Sequence, residues 1–267
     1  ARGSVCSKDP NKVLEEVKEL AAHGFKEVIL SGIHTASYGL DLEGNINLID
    51  IKEEIEKIDG IERIRIGSIE PAFFTEEVVE KIKGFKKICD HFHLSLQSGC
   101  DETLKRMNRK YTIQEFEHGV NLLRTKFPSV ALTTDIIVGF PGETEKEFNT
   151  TYDFLKRIKF AKMHIFKYSQ RKGTVAAKMK DQIDPKIKDE RSNKLIELSD
   201  KNEEEFLDRF IGKKLEVLFE TTVHDGYTEG HTTNYINVKA KGTNIENTIR
   251  TVEMAKRVGL ELYGNII

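Results

Sequence analysis

The chain has 267 residues, of which 38% are hydrophobic and 32% charged, and it contains no tryptophan. This composition is typical of a soluble globular protein with one large domain or a large and a small one. No apolar run approaches the roughly 20 residues that span a bilayer, and no secretory signal opens the sequence. The net charge of -2 gives no basic footprint for nucleic acid. The three cysteines are too few for a disulfide framework and favour a reduced, cytoplasmic setting.

Helices and strands alternate along the first two thirds of the chain. Asp9 and Pro10 are an N-cap and a first-turn proline, and Gly24 is placed to end the helix that they begin. Thr112 with Glu115, and Thr144 with Glu147, have capping-box spacing. The further predicted elements are a strand over 26–33, a helix near 48–58, a strand from Ile61, a helix over 75–84, the strand VALTTDIIVG, the strand AKMHIFKYS and a charged helix over 185–210.

A polar row runs along the strand that precedes the Ser98-Gly99 turn, where His91, His93, Ser95 and Gln97 alternate with Phe92, Leu94 and Leu96. A period of two places these two sets on opposite faces of a strand. The interior of a small parallel barrel is normally packed with branched apolar residues. The polar row therefore predicts a ligand in the lumen. After the turn, Asp101 is predicted to cap a short helix.

The alternation predicts a parallel α/β sheet, either closed or partly open. Ligands of such sheets bind at the carboxyl ends of the strands. Unusual residues collect at those ends, at Gly32, Glu70, Gln97, Gly139 and Tyr168. The sequence therefore predicts the site at this edge.

The last part of the chain changes character, because short β-patterned runs are separated by Asp225-Gly226 and Gly242. This pattern predicts a small antiparallel barrel over residues 211–267. The segment carries seven basic and seven acidic residues, so any nucleic-acid surface would need charges sorted by folding. Aromatic rings are available there for base stacking. A structural or oligomerising barrel remains an equal alternative on these grounds.

No self-contained catalytic motif is present, because a phosphate-binding glycine loop, a nucleophile elbow and His-rich metal spacing are all missing. His91 and His93 favour a pair of core histidines over a metal pair, since no third ligand is indicated nearby. Asp135 interrupts an apolar strand, where a carboxylate is costly unless paired or ligand-bound. Arg109 is either solvated or, if it faces the lumen, suited to a ligand carboxylate.

Three stretches carry a family resemblance, namely HFHLSLQSGCDETLKRMNRKYT, TTDIIVGFPGETEKEF and MHIFKYSQRKGTVAAKM. They resemble the radical S-adenosylmethionine methylthiotransferases, and GHTTNYINV resembles the TRAM domain at the C-terminus of these enzymes. The resemblance covers essentially the whole chain. It is greatest to the branch that methylthiolates threonylcarbamoyladenosine beside the anticodon of tRNA. It implies a partial (β/α)6 radical SAM barrel over residues 1–210, lacking the first strand and cysteine loop, and a TRAM domain over 211–267.

The resemblance also implies cofactors and partners. They are S-adenosylmethionine and two 4Fe-4S clusters in the full-length enzyme, the tRNA anticodon arm, and a reducing partner such as flavodoxin or ferredoxin. No membrane partner is implied, and a monomer is expected. The family holds its catalytic cluster with Cys-x3-Cys-x2-Cys, and ARGSVCSK resembles the segment just downstream of that motif. We therefore expect a truncated, inactive chain without cluster ligands, and assign no metal ligand to Cys6, Cys89 or Cys100.

The resemblance implies two sets of site residues. The cofactor set comprises Gly32, Glu70, Gln97, Ser98, Arg109 and Asp135, with Arg109 expected at the methionyl carboxylate and Gly32 at the methionyl amine. The substrate set comprises Tyr168, Ser169, Arg171, Tyr227, His231 and Tyr235. The family motif usually has proline at the position of Gln170, so rigidity of that loop is in question.

Three alternatives stay open. Two lie within the family, namely methylthiolation of isopentenyladenosine in tRNA and of a ribosomal-protein aspartate. The third is a cofactor-free barrel that binds only RNA or a protein, in which the polar row is a hydrogen-bonded core.

Overall fold

The computed structural model describes residues 5–32, 35–44 and 46–267. Over these residues, five parallel strands form one open sheet in chain order. Its elements are α1 (Pro10–Ala22), β1 (Glu27–Leu30), α2 (Leu48–Glu56), β2 (Arg63–Ile69), α3 (Glu76–Gly84), β3 (Ile88–Gln97), α4 (Asp101–Arg106), α5 (Ile113–Lys126), β4 (Ala131–Val138), α6 (Glu145–Ile158), β5 (Lys162–Lys167) and α7 (Pro185–Asp208).

The predicted alternation of helices and strands is confirmed, and local sequence explains where the helices begin. Asp9 accepts hydrogen bonds at the start of α1, and Gly24 follows that helix in the left-handed region with φ +87°. Both capping boxes form, at Thr112 ahead of α5 and at Thr144 ahead of α6. The sheet is open rather than closed, so its inner face can be reached from the side.

The predicted role of Asp101 is wrong. The N-cap of α4 is Cys100, whose side chain makes no capping bond. The Asp101 carboxylate instead accepts the Ile113 N–H at 2.8 Å. It therefore caps the start of α5, because the turn between α4 and α5 brings these two helices side by side.

The two faces of the sheet have opposite chemistry. On β3, Phe92, Leu94 and Leu96 are buried in the apolar core beneath the helices. The alternate residues of β3 point to the inner face and are only partly buried. The period-two prediction for this strand is thus confirmed, and the apolar layer lies outside the curved sheet.

The C-terminal part forms a separate closed barrel of five strands, in the order β10-β8-β7-β6-β9. Its strands are β6 (Lys214–Thr222), β7 (Tyr227–Thr232), β8 (Asn237–Lys241), β9 (Ile249–Val258) and β10 (Glu261–Ile266). The prediction of an entirely antiparallel barrel needs one correction, because β10 closes against β8 in parallel. Leu207 and Phe210, at the end of α7, are buried in the core of this barrel. The end of α7, next to the predicted domain boundary at residue 210, thus packs into the core of the barrel.

Two buried arginines on β2 join the sheet to the barrel. Arg65 donates to the Thr232 and Thr233 carbonyls at 2.7 Å each and to the Glu27 carboxylate at 2.6 Å. Arg63 donates to the carbonyls of His231 and Glu216 at 2.8 and 3.0 Å. These bonds hold the loop after β7 against the inner face of the sheet. Among the described helices, none is long and apolar enough to cross a membrane.

Candidate functional site

A cavity of about 660 Å³ lies between the inner face of the sheet and the C-terminal barrel. His91, His93 and His164 line it from the sheet, and Tyr235 and Ile236 line it from the barrel. The polar row predicted on β3 thus borders an internal space. The barrel closes one side of that space, and the inner face of the sheet closes the other.

The carboxyl edge of the sheet carries the residues predicted for the cofactor. Gln97 ends β3 with φ +70°, in the left-handed region that residues other than glycine rarely adopt. Arg109 Nη1 lies 3.5 Å from Glu70 Oε1, and each side chain is about 30% exposed. The structure thus brings Glu70 and Arg109 together, although they are far apart in sequence. Gly32 follows β1 at this edge, and its neighbours at 33 and 34 lie outside the described residues.

Ser98 is placed differently from the other predicted cofactor residues. Its side chain is 2% exposed, and its hydroxyl is 3.2 Å from the Thr151 hydroxyl and accepts the Cys100 N–H. The hydroxyl therefore serves the turn and the packing of α6. A ligand contact of Ser98 stays a prediction for its backbone.

Sequence reasoning did not assign Glu143 to the site. The carboxylate accepts the Gly139 N–H at 3.2 Å and pairs with Arg191 of α7 at 2.6 Å. Burial raises the pKa of Glu143 against the opposing effect of Arg191. The pair fixes the loop after β4, in which Gly139 and Gly142 both have positive φ. The sequence feature that could have indicated this role is a glutamate in the glycine-containing loop that follows β4.

The residues predicted for substrate at the end of β5 surround the same edge. The Tyr168 ring packs edge-on against Phe140 at 5.3 Å, and its hydroxyl is buried without a hydrogen-bond partner. Lys188 of α7 donates to the Tyr168 carbonyl at 3.1 Å. Ser169 and Arg171 are exposed beyond it. An unpartnered buried hydroxyl at a strand end is a position where a ligand group can be received.

Asp135 lies deeper in the lumen than the other predicted cofactor residues. Its Oδ2 is 3.4 Å from His93 Nε2, and His164 completes a group whose ligand atoms lie within 4.8 Å of one another. The hydrogen bond from His93 lowers the pKa of Asp135. The group includes His93 but not His91, so the prediction of a core histidine pair is not tested by it. Strand register produced this grouping, because Asp135 and His164 are directly paired.

The three aromatic residues predicted to stack on RNA occupy two separate places. The Tyr235 ring stacks on His231 at 4.6 Å and on His91 at 4.9 Å between centroids. Tyr235 and His231 thus serve the contact between barrel and sheet, although Tyr235 is still 47% exposed. Tyr227 stands at the other end of β7, edge-on to Tyr263 at 5.5 Å. Their roles in RNA binding stay predictions.

The cysteines of the chain do not fit an iron–sulfur cluster. Cys6 is exposed, whereas Cys89 and Cys100 are buried. Cys89 starts β3 and Cys100 follows its far end, so at 3.3 Å per residue they are separated by roughly 26 Å along the strand. Burial raises the pKa of Cys89 to about 12, which opposes the thiolate form that iron requires.

Comparison with known proteins identifies the fold and the family. Coproporphyrinogen III oxidase of Escherichia coli, described as a radical SAM enzyme, superposes with a TM-score of 0.52 over 72% of this chain and 46% of its own, at 18% identity. This likeness assigns the fold of the sheet. A family model described as the Radical SAM superfamily matches residues 2–155. The chain belongs to the radical SAM superfamily.

Two curated relatives match this chain over most of its length. Threonylcarbamoyladenosine tRNA methylthiotransferase MtaB of Bacillus subtilis is 43% identical over 248 residues, which cover 91% of this chain and 55% of the relative. The tRNA-2-methylthio-N(6)-dimethylallyladenosine synthase of Thermoanaerobacter pseudethanolicus is 43% identical over 219 residues, covering 82% of this chain and 46% of the relative. The chain thus spans about half the length of the curated relatives it matches. The resemblance stated from sequence is confirmed.

Proposed function

We propose that this chain is part of a tRNA methylthiotransferase. The enzyme would add a methylthio group to the adenine of threonylcarbamoyladenosine next to the anticodon. One observation carries the proposal: the similarity to MtaB of Bacillus subtilis extends over 91% of this chain at 43% identity and so includes both the sheet and part of the barrel. We propose residues 1–210 as the radical SAM core and residues 211–267 as a TRAM domain.

The carboxyl edge of the sheet is chemically suited to S-adenosylmethionine, the cofactor of this superfamily. The planar guanidinium of Arg109 matches the two oxygens of a carboxylate. Its present partner, Glu70, is a carboxylate at 3.5 Å with both side chains partly exposed, so a ligand can replace this contact. We propose that Glu70 contacts the methionyl amine beside Gly32. We propose that Gln97 holds the nucleoside part, with Tyr168, Ser169 and Arg171 on the substrate side.

The cofactor supplies a deoxyadenosyl radical when it is reduced at a 4Fe-4S cluster. The cysteines of this chain do not fit such a cluster, so we assign its ligands to no residue here. The residues of this chain would bind and orient the cofactor and exclude water around it. A second cluster, a reducing partner such as flavodoxin or ferredoxin, a cytoplasmic location and a monomeric state are further parts of the proposal.

The C-terminal barrel offers a surface suited to RNA. Tyr227 and Tyr263 meet edge-on, with Lys241 5.7 Å above the first ring and Lys256 5.8 Å above the second. Aromatic rings flanked by cations stack on bases and neutralise phosphates. This surface lies apart from the docked rings of His231 and Tyr235. It supports tRNA as the partner, although the segment is formally neutral.

The test is mass spectrometry of tRNA nucleosides from a strain that lacks the gene encoding this sequence. Loss of the methylthio group from threonylcarbamoyladenosine, restored by the intact gene, is the expected result. Complementation with Arg109→Gln should restore less than a tenth of the modification. Arg157→Gln, which removes an exposed pair with Glu117 at 3.0 Å, should restore it fully.

Other outcomes separate the alternatives. Loss of the methylthio group from the isopentenyl-type nucleoside would favour the activity named for the Thermoanaerobacter relative, which covers 82% of this chain. A change confined to a ribosomal-protein aspartate would favour the third activity. Unchanged tRNA and protein would refute the proposal.

A further inference from the structure

Three neighbouring strands bring two imidazoles and a carboxylate together in the middle of the lumen. They are His93 of β3, Asp135 of β4 and His164 of β5, and one ligand atom from each lies within 4.8 Å of the other two. Register explains the grouping, because His93 pairs with Thr133, and Asp135, two residues further along the same face, pairs with His164. The three residues stand on strands rather than on loops, so the backbone fixes their spacing.

Hydrogen bonds orient the His93 ring. Its Nδ1 is 3.0 Å from the Thr133 hydroxyl, which is also 3.1 Å from Nε2 of His91. Burial lowers the pKa of His91 to about 3, so this imidazole is neutral. The Thr133 hydroxyl can then donate to His91 and accept the N–H of His93 Nδ1. Imidazoles that bind metals are oriented in this way by an outer hydrogen bond on the second ring nitrogen.

This orientation turns His93 Nε2 towards a carboxylate oxygen at 3.4 Å. Asp135 is ionised at neutral pH, because the hydrogen bond with His93 lowers its pKa. An unprotonated Nε2 and a carboxylate oxygen would oppose two lone pairs at this distance. The contact is therefore made either by an N–H on Nε2 that donates to the carboxylate or by a metal ion between the two atoms. His164 lines the same cavity, and the centroid of its ring lies 5.9 Å from that of His93.

We propose that His93, Asp135 and His164 bind one divalent transition-metal ion of the zinc type, with a fourth coordination position facing the cavity. Ligand atoms 2.0–2.1 Å from a tetrahedral zinc are separated by about 3.3 Å. The separation of 3.4 Å between His93 Nε2 and Asp135 Oδ2 matches this value. The His164 side chain is exposed to the cavity and is free to rotate towards the other two. Two histidines and one carboxylate with an open position form a donor set that zinc accepts in proteins.

The site lies deeper than the edge assigned to S-adenosylmethionine and shares only Asp135 with the residues predicted for that cofactor. Gln97 lies four residues beyond His93, which is roughly 13 Å along β3. The donor atoms are nitrogen and oxygen, so the site is not one for an iron–sulfur cluster. A bound ion would tie β3, β4 and β5 together and present its open position to whatever occupies the cavity. Binding of the ion does not depend on the activity proposed above.

The experiment measures Zn²⁺ bound to the untagged, EDTA-treated chain, with elemental analysis for stoichiometry and calorimetric titration for affinity. Cys6→Ser is included throughout, because Cys6 is an exposed thiol that could bind zinc itself. We expect one Zn²⁺ per chain. His164→Gln and Asp135→Asn should each weaken binding at least tenfold. His118→Gln, on the exposed face of α5, is the matched control and should bind like the parent.

Co²⁺ provides a second readout, because four-coordinate Co²⁺ absorbs strongly in the visible range. That absorption should appear in the parent chain and in the His118 variant, and disappear in the His164 variant. Since the His164 side chain is exposed, its glutamine variant is expected to fold, and circular dichroism checks this. Absence of stoichiometric Zn²⁺ from the folded parent would overturn the proposal. Equal retention by the Asp135 and His164 variants would also overturn it.

Discussion

Arg65 is the side chain whose removal should most weaken the contact between sheet and barrel. It is 2% exposed, and its guanidinium makes hydrogen bonds to the carbonyls of Thr232 and Thr233 and to both carboxylate oxygens of Glu27. Arg65→Met keeps most of the length and removes every one of these bonds. The Glu27 carboxylate then keeps Arg63 and the Cys89 thiol, each at 4.0 Å.

The expected loss follows from leaving a charge and two carbonyls without their partner. Removal of one member of a buried ion pair destabilises a protein by about 3–5 kcal/mol. Water from the adjoining cavity can reach the Thr232 and Thr233 carbonyls, so we expect their loss to add little. The free energy of unfolding should therefore fall by about 3–5 kcal/mol. Combining Arg65→Met with Glu27→Gln should recover more than about 1 kcal/mol, because the carboxylate charge is removed while Arg63 keeps its hydrogen bonds to the His231 and Glu216 carbonyls.

Urea unfolding followed by circular dichroism measures these differences, and limited proteolysis reports release of the barrel from the sheet. The control is Arg157→Met, which breaks an exposed pair with Glu117 at 3.0 Å and should cost less than about 1 kcal/mol. Arg65→Met should be cleaved between α7 and β6 much faster than the control. A loss below about 1 kcal/mol, or proteolysis no faster than in the control, would refute the role assigned to Arg65.

Two further substitutions test the packing of the layers. Lys52 is fully buried without a hydrogen-bond partner, and burial lowers its pKa to about 7. Between about pH 7 and 10 the unfolded chain therefore binds more protons than the folded one, and the free energy of unfolding rises with pH. Lys52→Met should remove up to about 4 kcal/mol of this pH dependence. If urea titrations gave the same pH profile for parent and variant, the buried position of Lys52 would not be the cause. Gly230→Ala would place a Cβ 2.1 Å from the Leu218 carbonyl oxygen, whereas Gly84→Ala meets nothing within 4 Å. We expect the first to lower the free energy of unfolding by more than about 2 kcal/mol and the second to change it by less than about 1 kcal/mol; similar thermal shifts for both would contradict this account of the barrel.

Most of the sheet could be predicted from sequence alone, because the sequence signals that define its helices and strands are local. Caps at Asp9, Thr112 and Thr144 define helix starts within one turn, and the period of two on β3 separates the lumen from the core. The assignment of Asp101 failed for a related reason. Its carboxylate has the right chemistry for a cap, yet it serves the next helix, which only the turn brings within reach.

The interior of the lumen could not be predicted in the same way. His93, Asp135 and His164 are separated by 42 and 29 residues, and only strand register brings them together. The pair of Glu70 and Arg109 likewise depends on two loops meeting at one edge. The placement of His231 and Tyr235 was decided by the buried arginines of β2, which draw the loop after β7 onto the sheet. The residue types of His231 and Tyr235 predicted ring stacking, but they did not show that Tyr235 stacks on His91 of the sheet.

The contact made by Arg65 has a consequence for how the lumen is used. The loop that it holds carries Tyr235, and that ring closes the cavity opposite the carboxyl ends of the strands. Tyr235 and Ile236 therefore form the barrel side of a space whose sheet side carries His91, His93 and His164. The barrel is one wall of the internal space as well as the surface that we propose for RNA. Loosening the barrel through Arg65 should thus change the depth of the cavity without touching the edge at Arg109, because the two arginines act at opposite ends of the sheet.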